Sequence, residues 1–553
     1  MKIDDGSWSV ESAEMHGLPR PEAYGHNGMV ASTHPVAAAI GIDVLRRGGN
    51  AVDAAIAVAA AEGVVLPMMC GLGGDAFIIV HDPRNGKTVA YNGSGVAGTR
   101  ATRELYADQG LTKMPLEGVH AVGVPGAVSA YEAVWKAHGT MPWADLWAPA
   151  IGLAEDGVAI TAYISARITD RAEALARYPY SAAQYLPGGT PPAPGQKWAA
   201  PDLARSLRAV AEGGAETYYR GELAERILKF LATQNAPFEA DDFARQQATV
   251  YEPLATDYRG VTVCQTAPPT QGFLMLAQLN ILEGFDLASL DLFGPERLHL
   301  LIEAKKLAFA DRNRHAADRD HVDWPLDTLV SKEHAAANRR EIDPRRARVP
   351  NGVAVGEHSG DTTYFAVADG SGMCVSFIHS LSASFGSAVV AGDTGIALNN
   401  RAGRGFSLDP THPNVLAPGR RTMHTLNCFM AFRDGRPWLI GGTPGGDQQT
   451  QWSTQVVTGI VDHGLSLQAA VEAPRWYSFP GTDPATLDRA QAVRAESRIP
   501  EATRRELAAR GHTVETLWPW SGGGSFHLIE VDQSSGVRRG AADPRAGGLA
   551  LGL

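Results

Sequence analysis

The chain has 553 residues, 44% hydrophobic and 20% charged, the composition of an ordinary globular protein with material for a large core. Its 49 basic and 60 acidic residues leave a net charge of −11, and no long basic run occurs, which argues against a nucleic-acid partner. Length alone suggests two to four domains, although large enzymes reach this size as one body. No uninterrupted apolar run reaches the roughly 18 residues of a membrane span. The N-terminus "MKIDDGSWSVESAEMHG" has neither the basic nor the apolar region of a signal peptide, so a cytoplasmic protein without a membrane partner is expected. Cys70, Cys264, Cys374 and Cys428 lie far apart, form no CxxC pair and read as reduced and buried.

In chain order, "STHPVAAAIGIDVLRRGGNAVDAAIAVAAAEG" reads as two consecutive helices. Val36, Ile40 and Val44 recur at helical spacing, Pro35 suits a first turn, Gly48 and Gly49 close the run, and Asn50 can cap the second helix. The stretches "FIIVHD" and "TVAYN" then read as strands joined by a turn at Asn85 and Gly86. Further helices are expected at "GAVSAYEAVWKAHG", "LAERILKFLATQ" and "RLHLLIEAKKLAFADRNR", with "YLPGGTPPAPGQ" a surface excursion. From Thr362 onward short strands dominate: "YFAVAD", "CVSFIHS", "MHTLNCFMAF", "PWLIGG" and "SFHLIEV". Without regular βαβ alternation, the expected class is α+β, a layered body with antiparallel sheets.

The segment "GLGGDA" from Gly71 to Ala76 matches the G-x-G-x-x-A pattern of a dinucleotide site. That site needs a helix directly after it, and the sequence continues as a strand, so a tight glycine turn is the preferred reading. No phosphate-binding GxxxxGK[ST], no HExxH and no G-x-S-x-G elbow occurs, and the 17 histidines are scattered. Neither a metal nor an organic cofactor is implied. What remains is "GEHSGDTTYFAVAD", a polar, glycine-rich stretch ending in Thr362 and Thr363 at the mouth of an apolar strand. A plain strand start accounts for the threonines too. A threonine hydroxyl is a weak nucleophile, but a threonine that begins a chain carries its own base, an α-amine with a reference pKa of about 7.7–8.0. An internal threonine reaches that state only if the preceding peptide bond is cut, and "DPRRARVPNGVAVGEHSGD" reads as a mobile loop able to leave.

"GDTTYFAVAD", then "SLSASFGSAVVAGDTGIALNN" and "GGTPGGDQQTQ", resemble the gamma-glutamyltransferase family. Earlier and later stretches, among them "GMVASTHPVAAAIGIDVLRRGGNAVDAAIAVAAA", "TAPPTQGF", "LAFADRNR" and "GAADPRAGG", extend the resemblance in family order over nearly the whole chain. The resemblance implies a four-layer αββα sandwich of the N-terminal-nucleophile hydrolase type. It also implies self-cleavage between Asp361 and Thr362, giving a large segment, 1–361, and a small one, 362–553, that stay together as one body.

Carried over residue by residue, the resemblance makes Thr362 the nucleophile and Ser380 its hydroxyl neighbour. It makes Gly445 and Gly446 the backbone donors of an oxyanion hole. The substrate-binding positions are Ser382, Arg401, Arg404, His424 and Thr425. Several depart from the family pattern. The arginine expected after the first hairpin is replaced around Ser94 and Val96, and Arg100 and Arg103 lie too far on to substitute. Arg401 stands where the family has glutamine, with no acid after it. His424 and Thr425 replace paired serines, and Ser382 replaces an asparagine. These changes remove acceptors for an α-ammonium group and add guanidinium groups that bind carboxylates. The expected activity is hydrolysis of a small carboxylate-bearing amide, with water or an amine resolving the acyl-enzyme, as in oxamate amidohydrolase and acylase branches. Gamma-glutamyl transfer or glutathione hydrolysis is the alternative, and an inactive binding or scaffold relative is an alternative of another class.

Overall fold

The computed structural model describes residues 20–348, 362–479 and 491–553. Most of the expected leaving loop, and Asp361 with it, lies outside the described residues. The first helix, Pro35–Arg46, starts on a proline, and the His34 side chain accepts the Val36 N–H. The second, Ala51–Val65, is opened by a capping box between Asn50 and Asp53. Nearly every residue of this second helix is buried, because small alanines let it lie between a sheet and an outer helix layer. Its two carboxylates are buried with partners: Asp53 takes the Thr140 hydroxyl at 2.6 Å, and Glu62 takes Ser32 at 2.6 Å and His379 at 2.9 Å.

Two seven-stranded antiparallel sheets form the centre. The first runs Leu549–Gly552, Gly28–Ser32, Thr363–Asp369, Cys374–Ser380, Asp75–Asp82, Lys87–Gly93 and Thr249–Tyr251. The second runs Ala23–Gly25, Arg538–Ala542, His527–Val531, Arg436–Gly442, Phe429–Arg433, Val261–Gln265 and Leu254–Tyr258. Phe77, Tyr364, Ile378, Met430, Ile440 and Ile529 interdigitate between them as an inner core. The early helices cover the outer face of the first sheet, and the helices Phe273–Leu282 and Gln449–His463 cover that of the second. The body is the expected αββα sandwich. Each sheet takes strands from both sides of the Asp361–Thr362 junction.

Two local expectations change. The stretch "MHTLNCFMAF" becomes a strand only from Phe429. Before it, His424 N–H bonds to the Pro269 carbonyl and Asn427 N–H to the Gln449 side chain, so these residues are tied to loops and a helix instead of a ladder. The "RAGRGF" loop is a short helix, Arg401–Gly405, with both arginines buried. "GLGGDA" leads into the strand Asp75–Asp82, as its glycine-turn reading requires. The four cysteines are unpaired and buried. No described helix is long and apolar enough to cross a membrane.

Candidate functional site

The central strand Thr363–Asp369 places Thr362 at its head. Thr363 stands opposite His379 in the ladder, which sets Thr362 beside Ser380. The Thr362 and Ser380 hydroxyls share a hydrogen bond of 2.9 Å, both fully inside the protein. Ser380 Oγ also accepts the Ser382 N–H at 2.8 Å, which fixes the serine's rotamer. Thr363 points the other way and donates to Thr33 Oγ1 at 3.1 Å, which in turn meets His527 Nε2 at 3.0 Å. Burial holds that imidazole neutral, with its pKa pushed down to about 3.

A cavity of about 460 Å³ opens at Thr362, and Gly445 forms part of the same wall. Gly445 sits at φ +135° and Gly446 at +57°, backbone that side-chain-bearing residues avoid. A Cβ on Gly445 would lie 2.3 Å from Trp452. The glycine turn before the first long strand has a related purpose: a Cβ on Gly74 would meet the Ser380 carbonyl at 2.4 Å. Gly73, a glycine of the pattern that mimics a dinucleotide fingerprint, is likewise demanded by close backbone packing, since its Cβ would meet the Ala397 carbonyl at 2.0 Å.

Of the substrate-binding candidates, none lines this cavity. Ser382, Arg401 and Arg404 are instead linked to the Ser380 strand and its neighbour. Arg401 Nε donates to Asp75 at 2.9 Å, and Asp75 lies opposite Ser380 in the neighbouring strand. The acid missing from the loop after Arg401 is therefore supplied from the first sheet. Burial pushes the Asp75 carboxyl up, and the Arg401 guanidinium beside it draws it back. Arg404 Nη1 donates to the Ser382 carbonyl at 2.7 Å. Arg401 Nη2, Ser382 Oγ and both ring nitrogens of His424 are buried without a hydrogen-bond partner among the described residues. The His424 pKa lies well below its ordinary value, through burial first and then the charges of Arg401 and Arg421. Ser382 also carries φ +87°, strain that a non-glycine residue bears rarely and mostly near functional sites. Thr425 offers its carbonyl to Gln271 Nε2 at 2.8 Å, and its side chain is only half-buried. Arg100 and Arg103 turn away, donating to the Ala236 and Leu408 carbonyls.

Sequence reading missed three groups. Asp75 lies far from Arg401 along the chain and becomes its partner only through the sheet. Gln271, in "TAPPTQGF", donates to the Gly446 carbonyl at 2.8 Å, while the buried Arg312, in "LAFADRNR", holds Gln271 Oε1 at 2.5 Å and pairs with Asp447. These two quoted stretches therefore brace the glycine turn from behind. The cavity's aromatic lining, including Trp452, Tyr477, Phe479 and Trp520, gave no signal because it is assembled from separate segments. Two groups of metal-capable side chains also converge, Glu62–Cys70–His379 and His299–Glu303–His512. Both are closed by their own bonds: Glu62 and His379 bind each other, and Glu303 carries the Lys306 ammonium at 2.7 Å.

Two antiparallel sheets enclosed by helices, with a threonine buried at the head of a central strand, define the class of N-terminal-nucleophile hydrolases. The family model described as Gamma-glutamyltranspeptidase matches residues 37–553, and the chain belongs to that family of amide-cleaving and acyl-transferring enzymes. Among its relatives is the glutathione hydrolase-like YwrD proenzyme of Bacillus subtilis, 38% identical over 96% of this chain and 99% of the relative. The oxamate amidohydrolase proenzyme of Klebsiella pneumoniae is 36% identical over 95% of this chain and 98% of the relative. The crystal structure of cephalosporin acylase from Bacillus halodurans matches with a TM-score of 0.89 and 34% identity, covering 100% of this chain and 99% of that one.

Proposed function

We propose that the chain cuts itself between Asp361 and Thr362, and that the freed Thr362 hydrolyses an amide whose acyl half is small and bears a carboxylate. The observation that carries this reading is that Thr362, hydrogen-bonded to Ser380, and Gly445 share one cavity wall. A carbonyl carbon held at Thr362 Oγ1 would turn its oxygen toward the glycine turn. In the proposed reaction Oγ1 attacks the carbonyl while the Thr362 α-amine takes its proton. The Gly445 and Gly446 N–H groups hold the oxyanion, the C–N bond breaks, and the departing amine receives the proton. Water then attacks the ester and regenerates the threonine; an amine in its place would give transfer.

Arg401 Nη2 supports the carboxylate-bearing acyl half. It is a buried donor without a hydrogen-bond partner among the described residues, with the Ser382 hydroxyl and His424 ring similarly placed. Asp75 neutralises one side of Arg401 without being left over as an acceptor for an α-ammonium group. That favours simple dicarboxylic acyl groups over gamma-glutamyl ones, although the YwrD relative is called glutathione hydrolase-like.

An intact-mass spectrum of the purified protein and of Thr362→Ala tests the first half. Wild type should give fragments beginning at Met1 and Thr362, and the variant should stay whole. The matured enzyme is then offered oxamate, succinamate and a gamma-glutamyl anilide. Faster turnover of the gamma-glutamyl compound would overturn the acyl preference, and an uncleaved wild type would overturn the mechanism.

A further inference from the structure

None of the acyl-side donors lines the cavity at Thr362, which leaves the cavity for the other half of the substrate. We propose that it seats the departing amine, and that this amine is a large, flat group carrying an anion. The inference rests on the acyl-enzyme reading above and extends it to the leaving half.

Size comes first. Ammonia, the leaving group of a primary amide, is the size of a water molecule and fills roughly 30 Å³. The cavity measures about 460 Å³, in the range that receives whole small molecules.

The wall chemistry selects shape. Trp452, which backs Gly445, meets Tyr477 edge-on at 5.9 Å, and Tyr477 meets Phe479 edge-on at 5.0 Å. The three rings make a continuous aromatic wall running outward from the glycine turn. Trp520 stands at the rim, 40% exposed, in a left-handed conformation at φ +65°. The Arg498 guanidinium lies 3.5 Å over its ring and Arg545 lies 5.1 Å away. Folding gains little from an exposed indole on strained backbone, whereas a flat ligand gains a stacking platform.

Charge selects the sign. Arg167, Arg494 and Arg545 line the cavity, and among the described residues no aspartate or glutamate does. These arginines pair with Asp170, Glu515, Glu496 and Asp543, none of which lines the cavity; Arg545 is buried on its two acids, so Arg167 and Arg494 are the more accessible cations. A ligand therefore meets guanidinium and aromatic faces together, the combination that holds planar anions.

The chemistry balances without a further reagent. Acylation breaks the C–N bond and delivers the proton from Thr362 to the amine, and water completes hydrolysis. Every amide of one acid gives the same acyl-enzyme, so among leaving groups of matched basicity differences in kcat/KM report how the amine half is bound.

The test uses the self-cleaved enzyme and three succinyl anilides whose para substituent is insulated by a methylene: carboxymethyl, methyl and trimethylammoniomethyl. Liberated amine is followed to give kcat/KM, with succinamate as the primary-amide reference. The anionic anilide should exceed the neutral one by about tenfold and the cationic one by about a hundredfold, as one or two charge contacts near a protein surface allow. Arg494→Gln and the rim variant Arg167→Gln should each shrink the anion-to-cation ratio. As a second readout, free 4-aminophenylacetate should inhibit succinamate turnover at lower concentration than its cationic analogue. Equal rates across the three anilides, with succinamate turned over, would overturn this inference and leave the acyl-enzyme reading intact. Cleaved enzyme inert to every amide would overturn the acyl-enzyme reading and this inference with it.

Discussion

Replacing Gly445 by alanine tests the glycine turn most directly. The new Cβ would stand 2.3 Å from Trp452 Cζ3 and 3.1 Å from Cε3. Trp452 is held in place: it is 3% exposed, donates its indole N–H to the Trp476 carbonyl and packs against the core under the second sheet. The turn must therefore open by about 1 Å to reach ordinary contact distance, enough to pull one N–H out of line with a tetrahedral oxygen. Losing one such donor typically costs about 2.7–4 kcal/mol of transition-state stabilisation, or roughly 10²–10³ in kcat. The left-handed backbone adds about 1–2 kcal/mol of lost stability. Gly435→Ala separates the two effects, because its φ is +73° and nothing lies within 4 Å of the added Cβ. That control should melt lower but turn over normally. Each protein is first quantified for self-cleavage by intact mass, and kcat is expressed per cleaved chain. A Gly445→Ala enzyme whose kcat stays within about threefold of wild type would refute the oxyanion role argued from the glycine turn.

Ser380→Ala removes the hydroxyl 2.9 Å from Thr362, and kcat per cleaved chain should fall by about 10- to 100-fold, with self-cleavage slowed in a timed mass series. Arg401→Met strands the buried Asp75, which should cost about 3–5 kcal/mol in denaturant unfolding. Pairing it with Asp75→Leu should restore most of that stability but not the KM for succinamate, which separates folding from carboxylate binding. The protein should also be acid-labile. His34, with a pKa near 4, and His512 and His527, with values near 3, are held neutral mainly by burial. Each has an ordinary value of 6.5, so below that pH the unfolded chain binds protons the folded chain refuses. Stability is therefore lost as pH falls from about 6.5 toward 3, by up to roughly 1.4 kcal/mol per pH unit for each histidine. Urea unfolding at pH 7, 6 and 5 should show the decline, and His527→Gln should flatten it.

Local signals located the elements that depend on local physics. Proline at the first turn, the Asn50 cap and the Asn85–Gly86 hairpin mark their own boundaries, because each acts through neighbours along the chain. The resemblance reached further, to the αββα layers, and it offered Thr362, Ser380 and the Gly445–Gly446 turn as candidates. It could not show that Arg401 is half-neutralised, because its partner Asp75 arrives from a strand 326 residues away in sequence. Nor could it show that Arg312 and Gln271 brace the turn, since both are ordinary helix and loop residues until two layers pack together. The sequence by itself determined the first two helices, the hairpin and the threonine at a strand's head. The tertiary structure alone decided which charges are spent on each other, which donors are left over, and that the cavity at Thr362 is walled by aromatic rings and guanidinium groups. Ion pairs and cavity walls are made between segments distant in the chain, where no local spacing records them.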